Sequence, residues 1–468
     1  MAFRLHDAIK SVPGMRYVVD NWQVHSGPGQ RALGESAMLY DADALNEEYE
    51  AIESTLSVFF AKEGVSQRDL LMARMCQIQD VQGSLNYLHG GSVRDDIELF
   101  EIKSFAIRAM EVRLQLRELG YTCVELPDLD EAIAVLDPQG KRIPHFYVYD
   151  EYSDELRDAR TLLEQMQREK ADDDSIEAQR LHCVEIEDAV RRAVTRRLQP
   201  FAGVLEEALA GVARLDLLLG KAFMAQQLEL TRPVLRDDRL RLEGLQHPEV
   251  AAKLAERGAK FQRVDVALPD GVTIVTGANM AGKSVLLQSI QLAQYMAQFG
   301  LFVAARSATL PLVDEVLTSM GDGQDHREGL SSFGAEMLRV NRIITAAKEG
   351  KRLLVLIDEL ARTTNPTEGR AIVCGVVELL QACGVRAVVT THYGGISVPC
   401  HRLKVKGFRK ERVEGALGLD NINRYIDYTL EEDAAGDVPL EAIQIAELLG
   451  VDGELLQRCK AHLSLESA

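Results

Sequence analysis

The stretch that decides the fold is VTIVTGANMAGKSVLLQSIQLAQYMAQF, which spans residues 272–299. It opens with an apolar run that favours a β-strand, continues through GANMAGKS (277–284), and ends in a run whose apolar residues recur at helical spacing. The octapeptide fits the pattern G-x-x-x-x-G-K-[ST], and the strand before it and the helix after it distinguish a phosphate-binding loop from a chance match. The sequence therefore predicts such a loop between a strand and a helix.

The loop predicts a site for ATP and Mg²⁺. Its glycines allow consecutive backbone N–H groups to surround phosphate oxygens at a helix N-terminus. Lys283 is expected to reach the β- and γ-phosphates, and Ser284 to ligate Mg²⁺. The predicted nucleotide-binding residues here are Gly277, Ala278, Asn279, Met280, Ala281, Gly282, Lys283, Ser284 and Val285. Taken alone, the octapeptide also fits a glycine-rich turn with an exposed lysine.

Two later segments end apolar runs with polar side chains. LLVLIDE (353–359) places Asp358 to complete the Mg²⁺ shell and Glu359 to polarise a water toward the γ-phosphate. RAVVTTH (386–392) ends in His392, a predicted γ-phosphate sensor. Both runs are apolar through their centres, as in parallel strands covered on both faces, whose carboxyl ends bind ligands in open α/β sheets. Taken alone, an acidic pair at a strand end is more often part of a solvated loop, and a histidine there is more often structural. Both assignments therefore depend on the P-loop.

The composition of the chain changes near residue 233. Residues 36–230 are rich in Ala, Leu, Glu and Arg, which predicts long helices. The prolines of 126–150 predict a small insertion in which HFYVY (145–149) forms a short strand. An apolar stripe at helical spacing is formed by Ile186, Val190, Ala193 and Val194.

After residue 233, short β-like runs alternate with helical stretches, as in an α/β domain. The fold expected is an α/β P-loop NTPase domain preceded by a mainly α-helical domain, with a helical hairpin at the C-terminus. The predicted domains are residues 1–233, 234–430 and 431–468.

Composition limits the classes of function. The net charge is −19, and residues 1–250 hold 29 basic and 45 acidic side chains, which argues against a DNA clamp in that half. Seven cysteines form no CxxC pair, so we expect reduced packing residues and neither a zinc site nor a disulfide scaffold. No apolar run is long enough to span a membrane, and a cytoplasmic location is expected.

Three segments together resemble the MutS family of ATPases: TGANMAGKS, LLVLIDELARTTNPTEG and VVTTHY occur in that family's order and spacing. RLDLLLGKAFMAQQLELTRPVL (214–235) is similar to the family's last core helix, and HSGPGQRAL (25–33) to the start of its lever domain. The resemblance implies a MutS/ABC-like ATPase domain preceded by a core and lever domain. It also implies a homodimer, held in part by the hairpin of 431–468.

Two further residues acquire roles through this resemblance. GLSSFGAEM (329–337) is similar to the family's Ser-Thr-Phe segment, which implies that Ser331 reaches the partner's nucleotide in trans. His247 would lie near the adenine. Taken alone, a Ser-Ser dipeptide opening a helix is an ordinary N-cap.

The sequence differs from typical members of the family in ways that indicate which subgroup it resembles. No Phe-x-Glu triplet occurs and the helical core begins almost at residue 1, so no mismatch-reading domain is expected. FRLHDAIKSVPG (3–14), RIPHFYVYDEYSDELR (142–157) and DELARTTNPTEG (358–369) look most like the MutS-related subunit that accompanies cobalamin-dependent lysine or ornithine aminomutases. That subunit is regarded as a reactivating ATPase, which implies an aminomutase client and a small partner subunit.

The alternative is a DNA-binding repair or recombination ATPase that recognises duplex shape. Its basis is two basic clusters, Arg191, Arg192, Arg196 and Arg197 in one and the run from Arg402 to Arg412 in the other. The interpretation favoured here is a solvated helix face paired with Glu and Asp for the first cluster, and an exposed edge hairpin for the second.

Two substitutions are expected to affect ATP binding and ATP hydrolysis differently. We expect Glu359→Gln to retain ATP binding and lose turnover, because the amide cannot accept a proton from water. Lys283→Ala is expected to weaken both. Equilibrium ATP binding and phosphate release measure the two effects, and hydrolysis by Glu359→Gln at the wild-type rate would show that Glu359 is not the base.

Overall fold

The computed structural model describes residues 3–277, 282–320, 332–409, 425–433, 443, 446–447 and 450–466. The chain divides into two compact units. The sheet unit consists of Met1–Asp20, Ala37–Tyr49 and Gln227–Ala468, and the helical unit of Asn21–Ser36 and Glu50–Gln226. The boundary at Gln227 lies close to the one predicted near residue 233, and two N-terminal segments also belong to the sheet unit.

Specific contacts bind those N-terminal segments within the sheet unit. The backbone of Met38 donates to Phe3 O at 2.8 Å, and that of Leu39 donates to Gln298 O at 2.7 Å. The Phe3 ring lies 5.2 Å from the ring of Tyr295, measured between centroids. The contacts of Leu39 with Gln298 and of Phe3 with Tyr295 join residues hundreds of positions apart, so local composition could not reveal them.

The helices predicted for the first half are present. They are α1 Leu5–Ser11, α2 Met15–Asp20, α3 Gly27–Glu35, α4 Ala42–Thr55, α5 Val65–Met75, α6 Gln82–His89, α7 Asp96–Glu118, α8 Asp130–Leu136, α9 Asp154–Arg168, α10 Asp173–Leu198 and α11 Ala202–Gln227. Side-chain caps fix several starts: Asp95 and Glu98 form a capping box at α7, and Ser153 and Asp172 cap α9 and α10. Along α10, Ile186, Val190 and Val194 are buried as predicted, whereas Ala193 is exposed.

The strand predicted at 145–149 was wrong. This segment has an irregular backbone and its Phe146 and Val148 side chains are buried, but it pairs with no strand among the described residues. Side chains take the backbone acceptors that a strand would use: Lys103 Nζ donates to His145 O at 2.9 Å, and Arg160 Nη1 donates to Val148 O at 2.8 Å. Aromatic and β-branched side chains suited to a sheet are thus buried here outside any described strand.

Lys103 forms a buried ion pair at the base of this segment. Its ammonium lies 3.0 Å from Asp137 Oδ1, with both side chains almost fully buried. It also donates to the Tyr149 hydroxyl at 3.0 Å. The ammonium therefore has three oxygen partners, which offset the loss of hydration that burial imposes.

Removal of Asp137 should destabilise the helical unit strongly. We expect Asp137→Ala to lower its free energy of unfolding by about 3–5 kcal/mol, because a buried cation loses its partner. Trp22, the single tryptophan, is buried in this unit and provides the fluorescence signal for urea unfolding. The control is Asp128→Ala, which breaks the exposed pair with Arg113 and should cost about 1 kcal/mol or less. Equal losses for the two variants would contradict the account.

The sheet unit contains a six-stranded and a four-stranded sheet. The strands are β1 Val234–Leu235, β2 Leu240–Leu245, β3 Val264–Leu268, β4 Val272–Thr276, β5 Ser307–Leu310, β6 Glu315–Ser319, β7 Leu353–Ile357, β8 Arg386–Thr391, β9 His401–Phe408 and β10 Ile426–Glu432. Its helices are α12 Pro248–Glu256, α13 Lys283–Gln298, α14 Ser332–Lys348, α15 Pro366–Ala382 and α16 Gly453–Glu466, besides α1 and α2.

The six-stranded sheet has the order β10-β9-β4-β8-β7-β6, and the smaller sheet the order β1-β5-β2-β3. In the larger sheet, β4, β6, β7, β8 and β9 pair in parallel, and β10 is antiparallel to β9. Every residue of β4, β7 and β8 is buried, which confirms the expectation of central parallel strands.

The basic run that starts at Arg402 was expected to form an exposed hairpin at a sheet edge. Its described part lies in β9, which pairs antiparallel with β10, and β10 forms the edge of the six-stranded sheet. Residues 410–412 of the basic run lie outside the described residues, as does most of the first helix of the predicted hairpin. Its second helix is α16. Within the described part of the chain, no helix is long and apolar enough to cross a membrane.

Candidate nucleotide site

Three strand ends converge at one edge of the six-stranded sheet. β8 pairs in parallel with both β4 and β7. The residues that follow these strands are Gly277 after β4, Asp358 after β7 and His392 after β8. Parallel strands place their carboxyl ends at the same edge, so the sheet itself brings the predicted residues together.

The start of α13 is joined to the end of β7 by one short hydrogen bond. Ser284 Oγ donates to Asp358 Oδ2 at 2.5 Å, and Thr390 Oγ1 donates to Asp358 Oδ1 at 2.6 Å. Lys283 Nζ donates to Gly277 O at 2.7 Å and lies 3.9 Å from Glu359 Oε1. The structure thus gathers the lysine, the hydroxyl and both carboxylates that the sequence predicted.

Burial and charge act in opposite directions on Lys283. Burial is the larger influence and lowers the pKa of the ammonium, whereas Glu359 and Asp358 raise it. Little water screens the charge of this partly desolvated ammonium, which strengthens its interaction with any oxygen acceptor that it contacts.

His392 responds to the same group of charges. Burial, the largest cause, lowers the pKa of its ring below the usual 6.5, and Glu359 opposes that shift. The ring is therefore neutral at pH 7 and offers one donor nitrogen and one acceptor nitrogen.

Glu359 is held by its backbone and by its carboxylate. Its backbone N–H donates to Thr390 Oγ1 at 2.8 Å, and its φ of 48° lies in the left-handed region. Arg362 Nη1 donates to Glu359 Oε2 at 2.8 Å. The carboxylate thus lies between the guanidinium of Arg362 and the ammonium of Lys283.

A cavity of about 1040 Å³ opens beside these groups, large enough for a nucleotide. Its lining includes Lys283, Ser284, Val285 and Glu359. It also includes residues that the sequence did not single out, namely Phe261, Gln262, Tyr428 and Leu430. Two aromatic residues thus line the same cavity as Lys283.

Gln262 and Tyr428 connect the α12–β3 loop to β10. The Gln262 side chain donates to Asp427 Oδ1 at 2.9 Å and accepts from the Tyr428 backbone N–H at 3.2 Å. The Tyr428 ring faces Gly282, where an added Cβ would lie 2.8 Å from Tyr428 Cδ1. Gly282 has a φ of 73°, so glycine suits both its backbone and the space around it.

The other predicted site residues fall into two groups. His247 does not line the cavity: its side chain is buried and caps α12, accepting from the Val250 backbone N–H at 3.4 Å, while Val250 and Leu254 of α12 do line it. The remainder, Ala278, Asn279, Met280, Ala281 and Ser331, lie outside the described residues.

The oxygen groups at the strand end fit a magnesium ion. Ser284 and Asp358 present a hydroxyl and a carboxylate already in contact. Among the described residues no group of three His, Cys, Asp or Glu side chains forms a metal cage. Mg²⁺ typically takes one or two protein ligands and completes its shell with water and substrate phosphates, so this small donor set suits it.

A strand, a glycine loop and a helix that starts with lysine and serine, beside an acidic pair on a neighbouring parallel strand, define the P-loop class of nucleotide site. Within that class, residues 273–464 match the model of MutS domain V. Beyond this match, the chain is similar over part of its length to the relatives described next.

Relatives share the sequence over part of their length. The chain is 32% identical over 294 residues to the DNA mismatch repair protein MutS of Chloroflexus aurantiacus, covering 61% of this chain and 29% of that protein. It is 32% identical over 283 residues to the DNA mismatch repair protein MutS of Thermus thermophilus, covering 60% of this chain and 33% of that protein. The chain is also 31% identical over 295 residues to endonuclease MutS2 of Thermus thermophilus, covering 62% of this chain and 36% of that protein. The matches thus span about a third of each relative.

The close contact at Gly282 predicts sensitivity to a single methyl group. Gly282→Ala adds a Cβ against Tyr428 and places an L-residue at positive φ, so the start of α13 must shift. We expect affinity for ATP to fall at least about tenfold, equivalent to about 1.4 kcal/mol. Titration with a fluorescent ATP analogue measures the loss.

The matched control is Gly258→Ala. Gly258 lines the same cavity and has a φ of 68°, but no atom lies within 4 Å of its added Cβ. Gly258→Ala therefore introduces only the strain of an L-residue at positive φ, without a steric contact. Equal losses of affinity in the two variants would show that contact with Tyr428 is unimportant.

Proposed function

We propose that this chain is a Mg·ATP-hydrolysing conformational switch of the MutS type. The observation that carries the proposal is the convergence of Lys283, Ser284, Asp358 and Glu359 beside a cavity of nucleotide size. The domain V match supports it. A buried ammonium, a hydroxyl–carboxylate pair and a second carboxylate are the groups that phosphoryl transfer to water requires.

Each side chain has a distinct part in the proposed reaction. Lys283 binds the β- and γ-phosphate oxygens, and Ser284 and Asp358 hold Mg²⁺. Glu359 accepts the proton of the attacking water, and His392, neutral at pH 7, senses the γ-phosphate through a hydrogen bond. The metal supplies charge stabilisation for the phosphate oxygens when it is bound.

The aromatic residues that line the cavity suit the adenine. Phe261 and Tyr428 offer aromatic faces, against which a base stacks favourably. The Gln262 amide nitrogen donates hydrogen bonds to Asp427 and Thr429. In this proposal it therefore stabilises the cavity lining and does not bind the base. His247 contributes indirectly in this proposal, by capping the helix that carries Val250 and Leu254.

Homodimerisation remains part of the proposal through the family resemblance. Ser331 would then act in trans on the partner's nucleotide, and the C-terminal segment would join two ATPase domains. ATP binding and hydrolysis would change the arrangement of the dimer.

The client favoured on sequence grounds is an adenosylcobalamin-dependent aminomutase, acting with a small partner subunit. Residues 3–14, 142–157 and 358–369 resemble the corresponding reactivating ATPase subunit. The acidic first half fits a protein client better than a polyanion. In this proposal, the switch would release a damaged cofactor from the client.

DNA is the alternative client, and the names of the relatives favour it: they are mismatch repair proteins and an endonuclease. Two arginines of the basic clusters argue the other way. Arg191 lies within 2.8 Å of Asp96 and 2.5 Å of Asp188, and Arg402 donates to two backbone carbonyls of its own chain. Cations already paired within the protein contribute less to binding phosphates.

Steady-state phosphate release discriminates among these proposals. The chain is assayed alone, with plain or branched duplex DNA, and with an adenosylcobalamin aminomutase inactivated by turnover. We expect turnover to rise with the inactivated aminomutase and cobalamin to be released. Glu359→Gln is the control for contaminating ATPases.

The outcomes test two questions separately: which client stimulates the chain, and whether the chain hydrolyses ATP. Stimulation by DNA with a steep salt dependence would replace the aminomutase with a nucleic-acid client. Phosphate release no faster than that of Glu359→Gln under every condition would refute ATP hydrolysis itself.

A further inference from the structure

The turn after Asp358 contains two residues in an unfavourable backbone conformation. Glu359 has a φ of 48° and Ala361 a φ of 62°. Both carry a Cβ, which crowds the backbone in the left-handed region. Such conformations persist only where the surroundings hold them, and they concentrate at functional sites.

Ala361 is held on both sides of its backbone. Its N–H donates to Glu336 Oε1 at 3.0 Å, and its carbonyl accepts from the Tyr393 hydroxyl at 2.7 Å. Glu336 lies on α14, and Tyr393 follows β8. Two separate elements therefore fix one buried residue of this turn.

The approach of Tyr393 depends on a glycine. A Cβ at Gly369 in α15 would lie 2.3 Å from the Tyr393 hydroxyl oxygen, so only glycine leaves room for the hydroxyl at Ala361. On the other side, Glu336 is half-buried, and burial is the main cause that raises the pKa of its carboxyl. Packing thus directs both polar groups at the same residue.

We propose that Glu336 is a positioning residue for Glu359, holding the turn that aims its carboxylate. The inference rests on the proposed hydrolysis of ATP and extends it to a residue outside the nucleotide cavity. Thr390 fixes the backbone N–H of Glu359, and Glu336 fixes that of Ala361 two residues later. Because the backbone is fixed at Glu359 and at Ala361, the left-handed conformation of Glu359 sets the direction of its side chain.

This role predicts a specific kinetic pattern. Displacement of a catalytic group by about 1 Å costs on the order of a hundredfold in rate, while substrate binding elsewhere is unaffected. We therefore expect Glu336→Ala to lower kcat for ATP about 10- to 100-fold and to change KM less than about threefold. Glu336→Gln keeps an oxygen acceptor for the Ala361 N–H and should retain kcat within about threefold of wild type.

The experiment uses the full chain and two readouts. Steady-state turnover gives kcat and KM, and hydrogen–deuterium exchange reports protection of the Ala361 amide. Glu378→Ala is the matched control, since it removes a glutamate from an exposed position on α15. If Glu336→Ala does not fold, Tyr393→Phe removes the hydrogen bond at the Ala361 carbonyl and should lower kcat severalfold.

The outcomes are separable from those for the proposed function. Faster Ala361 exchange and lower kcat in Glu336→Ala, with both restored in Glu336→Gln, establish the role. Wild-type kcat in Glu336→Ala, or Glu336→Gln as slow as Glu336→Ala, overturns it. A wild-type chain without ATPase activity refutes hydrolysis and this role together, while Ala361 exchange still shows whether Glu336 holds the turn.

Discussion

The site depends on the parallel pairing of β8 with both β4 and β7. This pairing places the glycine loop, the acidic pair and His392 at one edge, although they lie far apart in the chain. The bond from Ser284 to Asp358 then joins the two outer members of this trio. A shift of one residue in either pairing would turn the end of that strand toward the opposite face and separate the groups.

Much of this edge follows from local sequence. The strands around 272–276, 353–357 and 386–391 are short apolar runs that end in polar residues, and the helix after Gly282 has clear helical spacing. Such patterns reflect burial and backbone geometry within ten or twenty residues. Lys283, Ser284, Asp358 and Glu359 could therefore be predicted to lie together, and the structure places them within hydrogen-bonding or ion-pair range.

Other parts of the site depend on contacts that no local pattern reveals. Gln262 meets Asp427 across 165 positions of sequence, and Tyr428 lies against Gly282 through the hairpin of β9 and β10. The left-handed backbone at Glu359 arises because surrounding groups hold it, against the preference of a residue with a Cβ. In the helical unit, HFYVY has the composition of a strand, but Lys103 and Arg160 take the backbone acceptors that a neighbouring strand would use.

The discontinuous sheet unit has a consequence for folding during synthesis. Tyr49 donates to Ala297 O across 248 positions, and Gln298 donates to Leu39 O across 259. The first fifty residues therefore leave the ribosome long before their partners on α13 exist. Contacts of such long range form slowly and leave apolar surface exposed in the interim. Until α13 has been made, the N-terminal segment therefore lacks the partners that Tyr49 and Leu39 have in the complete sheet unit.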